Sequence, residues 1–344
     1  MAGFYYLYKS RSGIIPLKNL IISGAFAALA VTIRFQLGLF AAGIGLTLLF
    51  QTRWREALWF AVGFVATVLI TLGLVDYIAW GKPFFTLINY THFNLEHKYA
   101  YVIGPWYNFI LLLLGIFIIP VGFYLFTGFL RSWKKYALLF WPALLFLAAH
   151  SYFPNKQERF IIPLIPFFII LGVIGWNELT SSSAFWQKHK NKLKATWVWF
   201  WIINLILMLV FSTTYMKKNR VEPLTYLSEK KDLNGLIWES YPDDLVFLPK
   251  FYLGKKVLLF MFPPGKSIEE LHQEIEQKAG AEFPKYIIFL GDVGIDERVA
   301  RIENYFQKEL IFEKKIEPPL VDYILHKLNP KNNINQTSRV YRIE

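Results

Sequence analysis

The stretch YNFILLLLGIFIIPVGFYLFTGFL, residues 107–130, decides the fold class because it contains no charged residue. At about 1.5 Å of helical rise per residue, a run of this length can cross the roughly 30 Å hydrocarbon core of a bilayer. The whole chain shares this bias: of its 344 residues, 55% are hydrophobic and only 18% are charged. Such a composition is typical of a membrane protein rather than of a soluble domain.

Six other apolar runs complete a predicted set of seven membrane-crossing helices. They cover residues 17–33, 35–50, 57–80, 136–153, 160–176 and 197–211. Arg34 is the single charged residue between Lys18 and Arg53, and one straight helix over that tract would run about 50 Å. We therefore place Arg34 at a turn between two short crossings, and we expect Pro120 to kink the run at residues 107–130.

The C-terminal part of the chain has a different pattern, because the long apolar runs stop after residue 212. Residues 242–252, 255–262 and 285–291 resemble short strands, and Ser267 with Glu270 forms a capping box that begins a helix. A second helix is predicted over residues 296–310. Together they predict a small α/β domain at residues 213–328 that follows a transmembrane domain at residues 1–212, with a disordered polar tail at residues 329–344.

Charge placement predicts the orientation of these crossings. Alternate loops hold twelve Lys and Arg residues in one set and five in the other. The positive-inside rule puts the first set in the cytoplasm and the C-terminal α/β domain outside it, on the same side as Arg34 and residues 154–159. We therefore attribute the formal net charge of +12 to the orientation of the chain in the membrane rather than to nucleic-acid binding. We favour the bacterial inner membrane over the endoplasmic reticulum membrane.

Charged residues at the ends of the crossings are the candidates for chemistry. The sequence has no cysteine, no H-E-x-x-H pattern and no P-loop, so we predict no metal and no cofactor. Lys156 and Arg159 lie three residues apart before an apolar run, and Arg34 is predicted on the same side. Cations at a membrane rim suit a phosphate group, although snorkelling to lipid headgroups is an alternative explanation for the same residues.

A family resemblance supports the phosphate interpretation. NKQERFIIPLIP, residues 155–166, resembles the H-K-E-x-R-F-x-x-P-x-x-P signature of the family-22 glycosyltransferases, which are multispanning α-mannosyltransferases. Residues 76–94, the GPWY stretch at residues 104–107, and Arg34 in IRFQ resemble further segments of that family. The resemblance covers about residues 17–180, and Asn155 and Gln157 replace the expected His and Glu.

The resemblance implies a GT-C fold and a sugar-transfer reaction. The donor would be a polyprenyl- or dolichyl-phosphate sugar drawn from the membrane lipids, and the acceptor a glycan or glycolipid on the extracytoplasmic side. Three residues, Arg34, Lys156 and Arg159, are then expected to hold the donor phosphate. The residues expected to bind the sugar or the acceptor are Gln36, His92, Asn94 and Trp106.

The catalytic base is not identified by the sequence. In the family, the acidic pair lies in a loop well upstream of the arginine that Arg34 resembles, whereas only 33 residues precede Arg34 here. We therefore expect an N-terminally truncated fragment. Asp76 and Glu158 are the remaining acidic candidates, and we expect neither to act as the base. Two other functions stay open: a flippase or transporter of lipid-linked saccharides, and a non-catalytic partner subunit.

Overall fold

A computed structural model describes residues 1–9, 14–214, 216–240, 249–279, 282–330 and 336–344. Contacts divide the chain into two units, Met1–Ile203 and Asn204–Glu344. The first unit is helical and contains the residues of the family-like motifs. The second unit contains a five-stranded sheet.

Most helices of the first unit overlap the apolar runs of the sequence, whereas Ala2–Tyr8, Phe85–Glu96 and Ala184–Lys188 lie outside them. In chain order the helices are α1 (Ala2–Tyr8), α2 (Leu17–Ile33), α3 (Gly38–Phe50), α4 (Trp54–Val68), α5 (Val75–Trp80), α6 (Phe85–Glu96), α7 (Asn108–Ile116), α8 (Val121–Arg131), α9 (Ala137–Tyr152), α10 (Ile165–Ser182) and α11 (Ala184–Lys188). The next helix, α12 (Lys190–Thr213), extends into the second unit. The predicted turn at Arg34 is confirmed, because α2 ends at Ile33 and Arg34 has an extended backbone.

The predicted number of seven crossings is not confirmed. Among the described residues, three helices are long and apolar enough to span a bilayer: Trp54–Trp80, Glu158–Ser182 and the helix that begins at Lys190. A fourth would be the pair α7 and α8, if that bent pair forms one span. The apolar helices at residues 17–33, 35–50 and 137–152 are shorter. These helices support an integral membrane protein with several spans.

The run at residues 107–130 does not form the kinked single helix that the sequence predicted. Helices α7 and α8 meet at a bend of 119°, and the break lies directly before Pro120. Proline lacks the amide proton needed to continue the helical ladder, so a helix ending here is expected. A Cβ atom on Gly122 would lie 2.2 Å from the Leu114 carbonyl oxygen, so the second helix packs back against the first. This segment is a broken span or a re-entrant hairpin.

Helices α2 and α4 approach so closely that only glycine fits at the crossing. A Cβ atom on Gly24 would lie 2.1 Å from the Phe60 carbonyl oxygen, and one on Gly63 would lie 2.2 Å from that of Ile21. In membranes, where no hydrophobic effect drives helix association, such backbone contact supplies much of the packing energy. This packing fixes the helix whose end carries Arg34.

Gly24→Ala is expected to lower the free energy of unfolding by about 1–3 kcal/mol, because the new methyl group would push α2 and α4 apart. Thermal unfolding of the detergent-solubilised protein measures the change. Gly45→Ala is the matched control, since nothing lies within 4 Å of a Cβ atom there. Alanine favours helix over glycine, so this control should be neutral or stabilising. Equal effects of both substitutions would contradict the packing account.

The second unit is an α/β domain with a mixed sheet. Its elements are α13 (Lys218–Ser228), β1 (Gly235–Glu239), β2 (Leu258–Phe262), α14 (Ile268–Ala279), β3 (Tyr286–Leu290), α15 (Ile295–Phe306), β4 (Leu310–Ile316), α16 (Leu320–Leu328) and β5 (Ser338–Ile343). The strand order is β2-β1-β3-β5-β4. Strand β1 pairs in parallel with β2 and β3, whereas β5 is antiparallel to both β3 and β4.

Several sequence predictions for this unit are confirmed. The strands at residues 255–262 and 285–291 form β2 and β3, and the helix at residues 296–310 forms as α15. The capping box before α14 also forms, with the Glu270 amide donating to Ser267 Oγ at 3.1 Å. Most of the strand predicted at residues 242–252 lies outside the described residues, and a 3₁₀ turn covers Lys250–Leu253.

The disordered tail predicted over residues 329–344 is wrong for residues 338–343. Ser338–Ile343 form β5, which lies between β3 and β4 in the sheet. Ser338, Val340 and Tyr341 are buried there. The polar composition of residues 329–337 concealed the strand pattern that follows it. Residues 331–335 of the predicted tail lie outside the described residues.

Candidate functional site

Arg34 and Arg159 meet at the ends of their helices. The Nη2 atom of Arg34 donates to the Arg159 carbonyl oxygen at 2.8 Å, and its Nε atom donates to Gln36 Oε1 at 3.0 Å. Among the described residues, the Arg34 Nη1 atom has no hydrogen-bond partner and the exposed Arg159 guanidinium pairs with no acid. We call this pair the arginine junction. The Arg34 guanidinium, held at a membrane-helix end against the Arg159 backbone, can bind an anion such as a phosphate.

The Lys156 ammonium, which was predicted to hold the donor phosphate, is occupied by backbone carbonyl groups in the structure. Its Nζ atom donates to the carbonyl oxygens of His150 at 3.0 Å and Ser151 at 2.7 Å, and also to that of Phe153. The last carbonyl groups of a helix have no partner within the helix, so Lys156 caps the end of α9. The residue is only 3% exposed, and burial lowers the pKa of its ammonium.

Two of the predicted sugar-binding residues share a cleft beside the junction. The cleft has a volume of about 220 Å³ and is lined by Gln36, Leu39, Tyr90, Asn94, Ala149, His150, Phe153 and Phe160. We call it the Gln36–Asn94 cleft. Asn94 lies on α6 and donates its amide to the Tyr90 carbonyl oxygen at 2.7 Å. Its Oδ1 atom can therefore accept a hydrogen bond from a ligand hydroxyl.

His150 also lines this cleft, and the sequence analysis missed it. Its Nδ1 atom lies 2.9 Å from the Phe146 carbonyl oxygen, which can only accept, so Nδ1 carries the proton. In the neutral ring, Nε2 is then a hydrogen-bond acceptor. The one signal in the sequence was a histidine near the end of the apolar run at residues 136–153.

The other two predicted sugar-binding residues lie outside the cleft. His92 is exposed on α6 and lies 3.9 Å from the Glu96 carboxylate. The Trp106 side chain is 65% exposed and contacts the Tyr107 ring. Neither lines the Gln36–Asn94 cleft, so the structure gives no support to a sugar contact by these residues.

Asp76 is a structural residue that positions α6. It is buried, and its Oδ2 atom accepts from the Thr86 amide at 2.9 Å and from Thr86 Oγ1 at 2.7 Å. These bonds cap the first turn of α6, the helix that carries Asn94. The sequence analysis placed no helix at residues 85–96, and this remote cap was not visible in the sequence. Glu158 is exposed and does not line the cleft.

Asp76→Ala is expected to lower the free energy of local unfolding of the first turns of α6 by about 0.5–2 kcal/mol, the usual range for a lost helix cap. Hydrogen exchange of the α6 amides, measured by mass spectrometry, should become correspondingly faster. Thr86→Val is the control, since it removes the Oγ1 contact but keeps the amide contact. Unchanged exchange in Asp76→Ala would show that the carboxylate does not hold this helix.

An apolar groove is lined by residues that neighbour the arginine junction in the sequence. Its volume is about 480 Å³, and Ile33, Leu37, Pro163, Pro166 and Phe167 are among the residues that line it. Ile33 and Leu37 flank Arg34 in the sequence, and Pro163 follows Arg159 by one helical turn. Sequence neighbours of the junction therefore line both a cleft with hydrogen-bonding groups and an apolar groove. No cluster of three metal-ligating side chains is found in the described part of the chain.

Comparison with known proteins identifies the family of the chain. Residues 1–234 match the model of the Alg9-like mannosyltransferase family. The chain belongs to this family. The resemblance to family-22 glycosyltransferases that the sequence motifs indicated is therefore confirmed, and the match takes in every residue of the junction, the cleft and the groove. Residues 235–344, which form the sheet of the second unit, lie outside the matched range.

Several curated family members from yeasts are similar to the chain. GPI mannosyltransferase 3 of Yarrowia lipolytica is 25% identical over 234 residues, which are 67% of this chain and 43% of the relative. The protein of the same name from Debaryomyces hansenii is 23% identical over 242 residues, or 67% of this chain and 42% of the relative. The protein of the same name from Saccharomyces cerevisiae is 26% identical over 199 residues, which are 55% of this chain and 31% of the relative.

The chain thus spans about two fifths of the length of the first two relatives. No solved structure matches the chain.

Proposed function

We propose that the chain acts in a membrane mannosyltransferase that takes mannose from a polyprenyl- or dolichyl-phosphate donor. The observation that carries this proposal is the arginine junction, whose neighbours in the sequence line both the Gln36–Asn94 cleft and the apolar groove. A lipid-linked sugar phosphate has three matching parts: hydrocarbon, anion and polyol. Family membership and the mannosyltransferase names of the relatives support the same chemistry.

The arginine junction would act by stabilising the leaving group. In the reaction, the bond between the sugar C1 atom and the phosphate oxygen breaks, and the acceptor hydroxyl oxygen forms a new bond to C1. The bonding electrons leave with the phosphate, which gains negative charge in the transition state. Fixed guanidinium groups therefore bind the transition state more strongly than the ground state, which accelerates transfer.

The sugar would lie in the Gln36–Asn94 cleft. Asn94 Oδ1 and His150 Nε2 are acceptors for sugar hydroxyl groups, and the aromatic rings of Tyr90 and Phe160 provide apolar surface for the sugar face. The proton of the acceptor hydroxyl must pass to a base. The family resemblance places this base in an acidic loop, and no Asp or Glu lines the cleft among the described residues.

The acceptor and the membrane side are parts of the same proposal. The relatives are named GPI mannosyltransferases, which favours a glycolipid acceptor for this chain also. The distribution of Lys and Arg favours transfer on the extracytoplasmic side, with the α/β domain on that side as well. The yeast relatives give no support to the bacterial inner membrane that the sequence analysis favoured.

A transfer assay tests the donor class directly. Membranes that contain the full gene product are incubated with radiolabelled polyprenyl-phosphate-mannose, or with a mannose nucleotide, and with a glycolipid acceptor. We expect transfer from the lipid donor. Transfer from the nucleotide alone would contradict the proposal. Transport of the lipid donor without any transfer would favour the flippase alternative, and no effect of this gene product would favour a partner subunit.

Filling the apolar groove should weaken the binding of long donors selectively. Ile33 is 87% exposed and lines the groove, so Ile33→Trp should occupy hydrocarbon-binding space without disturbing the core. We expect the KM for a long-chain polyprenyl-phosphate-mannose to rise several-fold, with an unchanged KM for a short-chain analogue. The control is Leu46→Trp, which lines a separate apolar pocket on α3. Equal KM values for the parent and Ile33→Trp would exclude the groove as the lipid site.

A further inference from the structure

Helix α16 presents an apolar face to the outside of the second unit. Its exposed positions follow helical spacing, and four of them are apolar: Leu320 (68% exposed), Tyr323 (45%), Ile324 (46%) and Leu328 (77%). The fifth is Lys327, whose Nζ atom lies 4.8 Å from the centre of the Tyr323 ring. Exposed hydrophobic side chains are normal when scattered, but a continuous helical stripe marks a binding surface.

The opposite face of α16 is held to the segment that follows α12. Asp322 is 3% exposed, and its Oδ2 atom accepts from the backbone amide of Lys217 at 2.7 Å. Lys217 follows the last residue of α12, Thr213, by four positions. At no more than about 3.6 Å per residue, this connection keeps α16 within roughly 15 Å of the end of α12.

The helix α12 itself is a candidate membrane span without buried residues. Because α16 is tethered within roughly 15 Å of the end of α12, a bilayer crossed by α12 would have its headgroup zone within reach of α16. Tyrosine and lysine are side chains that favour this zone: the tyrosine ring is amphipathic, and a lysine can extend its ammonium to the headgroups.

We propose that α16 is an interfacial helix that lies on the bilayer surface, with Leu320, Tyr323, Ile324 and Leu328 inserted among the lipids. It anchors the second unit to the membrane that α12 crosses. A second copy of the chain is a poorer occupant, because a stable protein interface needs about 800 Å² from each partner. One face of a nine-residue helix supplies only a part of that area.

Spin labelling in liposomes tests this inference, and it does not depend on the proposed enzymatic function. The chain has no cysteine, so Ile324→Cys and Leu320→Cys each give a single labelling site on an exposed position. Glu276→Cys is the matched control, because Glu276 lies on α14 of the same unit and its side chain is 67% exposed. A nitroxide at each site is tested for collision with oxygen, which concentrates in lipid, and with a water-soluble nickel complex.

We expect the ratio of oxygen to nickel collisions to be several-fold higher at residues 320 and 324 than at residue 276. Ratios equal to the control in liposomes would overturn the proposal. Labels shielded from both reagents would show a protein partner or a second copy on this face and would also overturn it.

Discussion

Arg34→Ala is expected to lower mannose transfer about a hundredfold, as the loss of one fixed donor to a developing anion does in other active sites. The substitution removes one guanidinium of the arginine junction and also the contact that holds the Arg159 carbonyl oxygen. Initial rates with polyprenyl-phosphate-mannose, in membranes that contain the full gene product, measure the loss. Because Arg34 is only half-buried, the midpoint of thermal unfolding should change little.

Two control variants make this expectation specific. Lys134→Ala removes an exposed cation from the segment after α8 and should leave the transfer rate unchanged. Arg34→Lys keeps the charge but loses the planar fork, so it should recover only a part of the rate. If Arg34→Ala transfers mannose at the rate of the parent, or if Lys134→Ala loses an equal share of the rate, the arginine junction does not stabilise the leaving phosphate.

Lys156→Met is expected to lower the free energy of unfolding by about 3 kcal/mol or more. Methionine keeps much of the apolar stem, but the carbonyl groups of His150, Ser151 and Phe153 lose their common donor. Each buried polar group left without a partner costs about 1–3 kcal/mol. Thermal unfolding of the solubilised protein measures this loss.

Lys135→Met is the matched control for the removal of an ammonium. Lys135 forms an ion pair with Glu178 on the surface, where its side chain is 64% exposed. Such pairs contribute about 0–1 kcal/mol, so this control should unfold close to the parent. If Lys156→Met instead unfolds like the parent but fails to transfer mannose, Lys156 binds the phosphate and its assignment as a helix cap is wrong.

Part of the candidate site could be predicted because single charges interrupt long apolar runs. Arg34 is one cation in a tract too long for a single straight helix, so the sequence predicts a turn there. Arg159 precedes the next apolar run by one residue, and the two helix ends meet as predicted. Gln36 follows Arg34 closely, which explains why it lies at the same site. In these cases the evidence is a charged or polar residue beside an apolar run, which can be seen in the sequence itself.

The remaining features depend on contacts between distant segments. The first turn of α6 is capped by Asp76, ten residues upstream, and the surrounding sequence resembles a loop. Lys156 folds back onto the end of α9, a contact that its position in the sequence does not reveal. His150 faces a cleft formed by three separate segments, which no spacing in the chain reveals.

Photo-crosslinking tests the central claim, that the arginine junction holds the phosphate of a lipid donor, most directly. A polyprenyl-phosphate-mannose with a diazirine near the phosphate end of its isoprenoid chain is bound to the full gene product, irradiated, and the labelled residues are identified by mass spectrometry. The account predicts labelling of the groove at Ile33, Leu37 and Pro163, and its loss in the double variant of Arg34→Ala with Arg159→Ala. Labelling of other segments, or labelling of the groove that the double variant leaves unchanged, would contradict it.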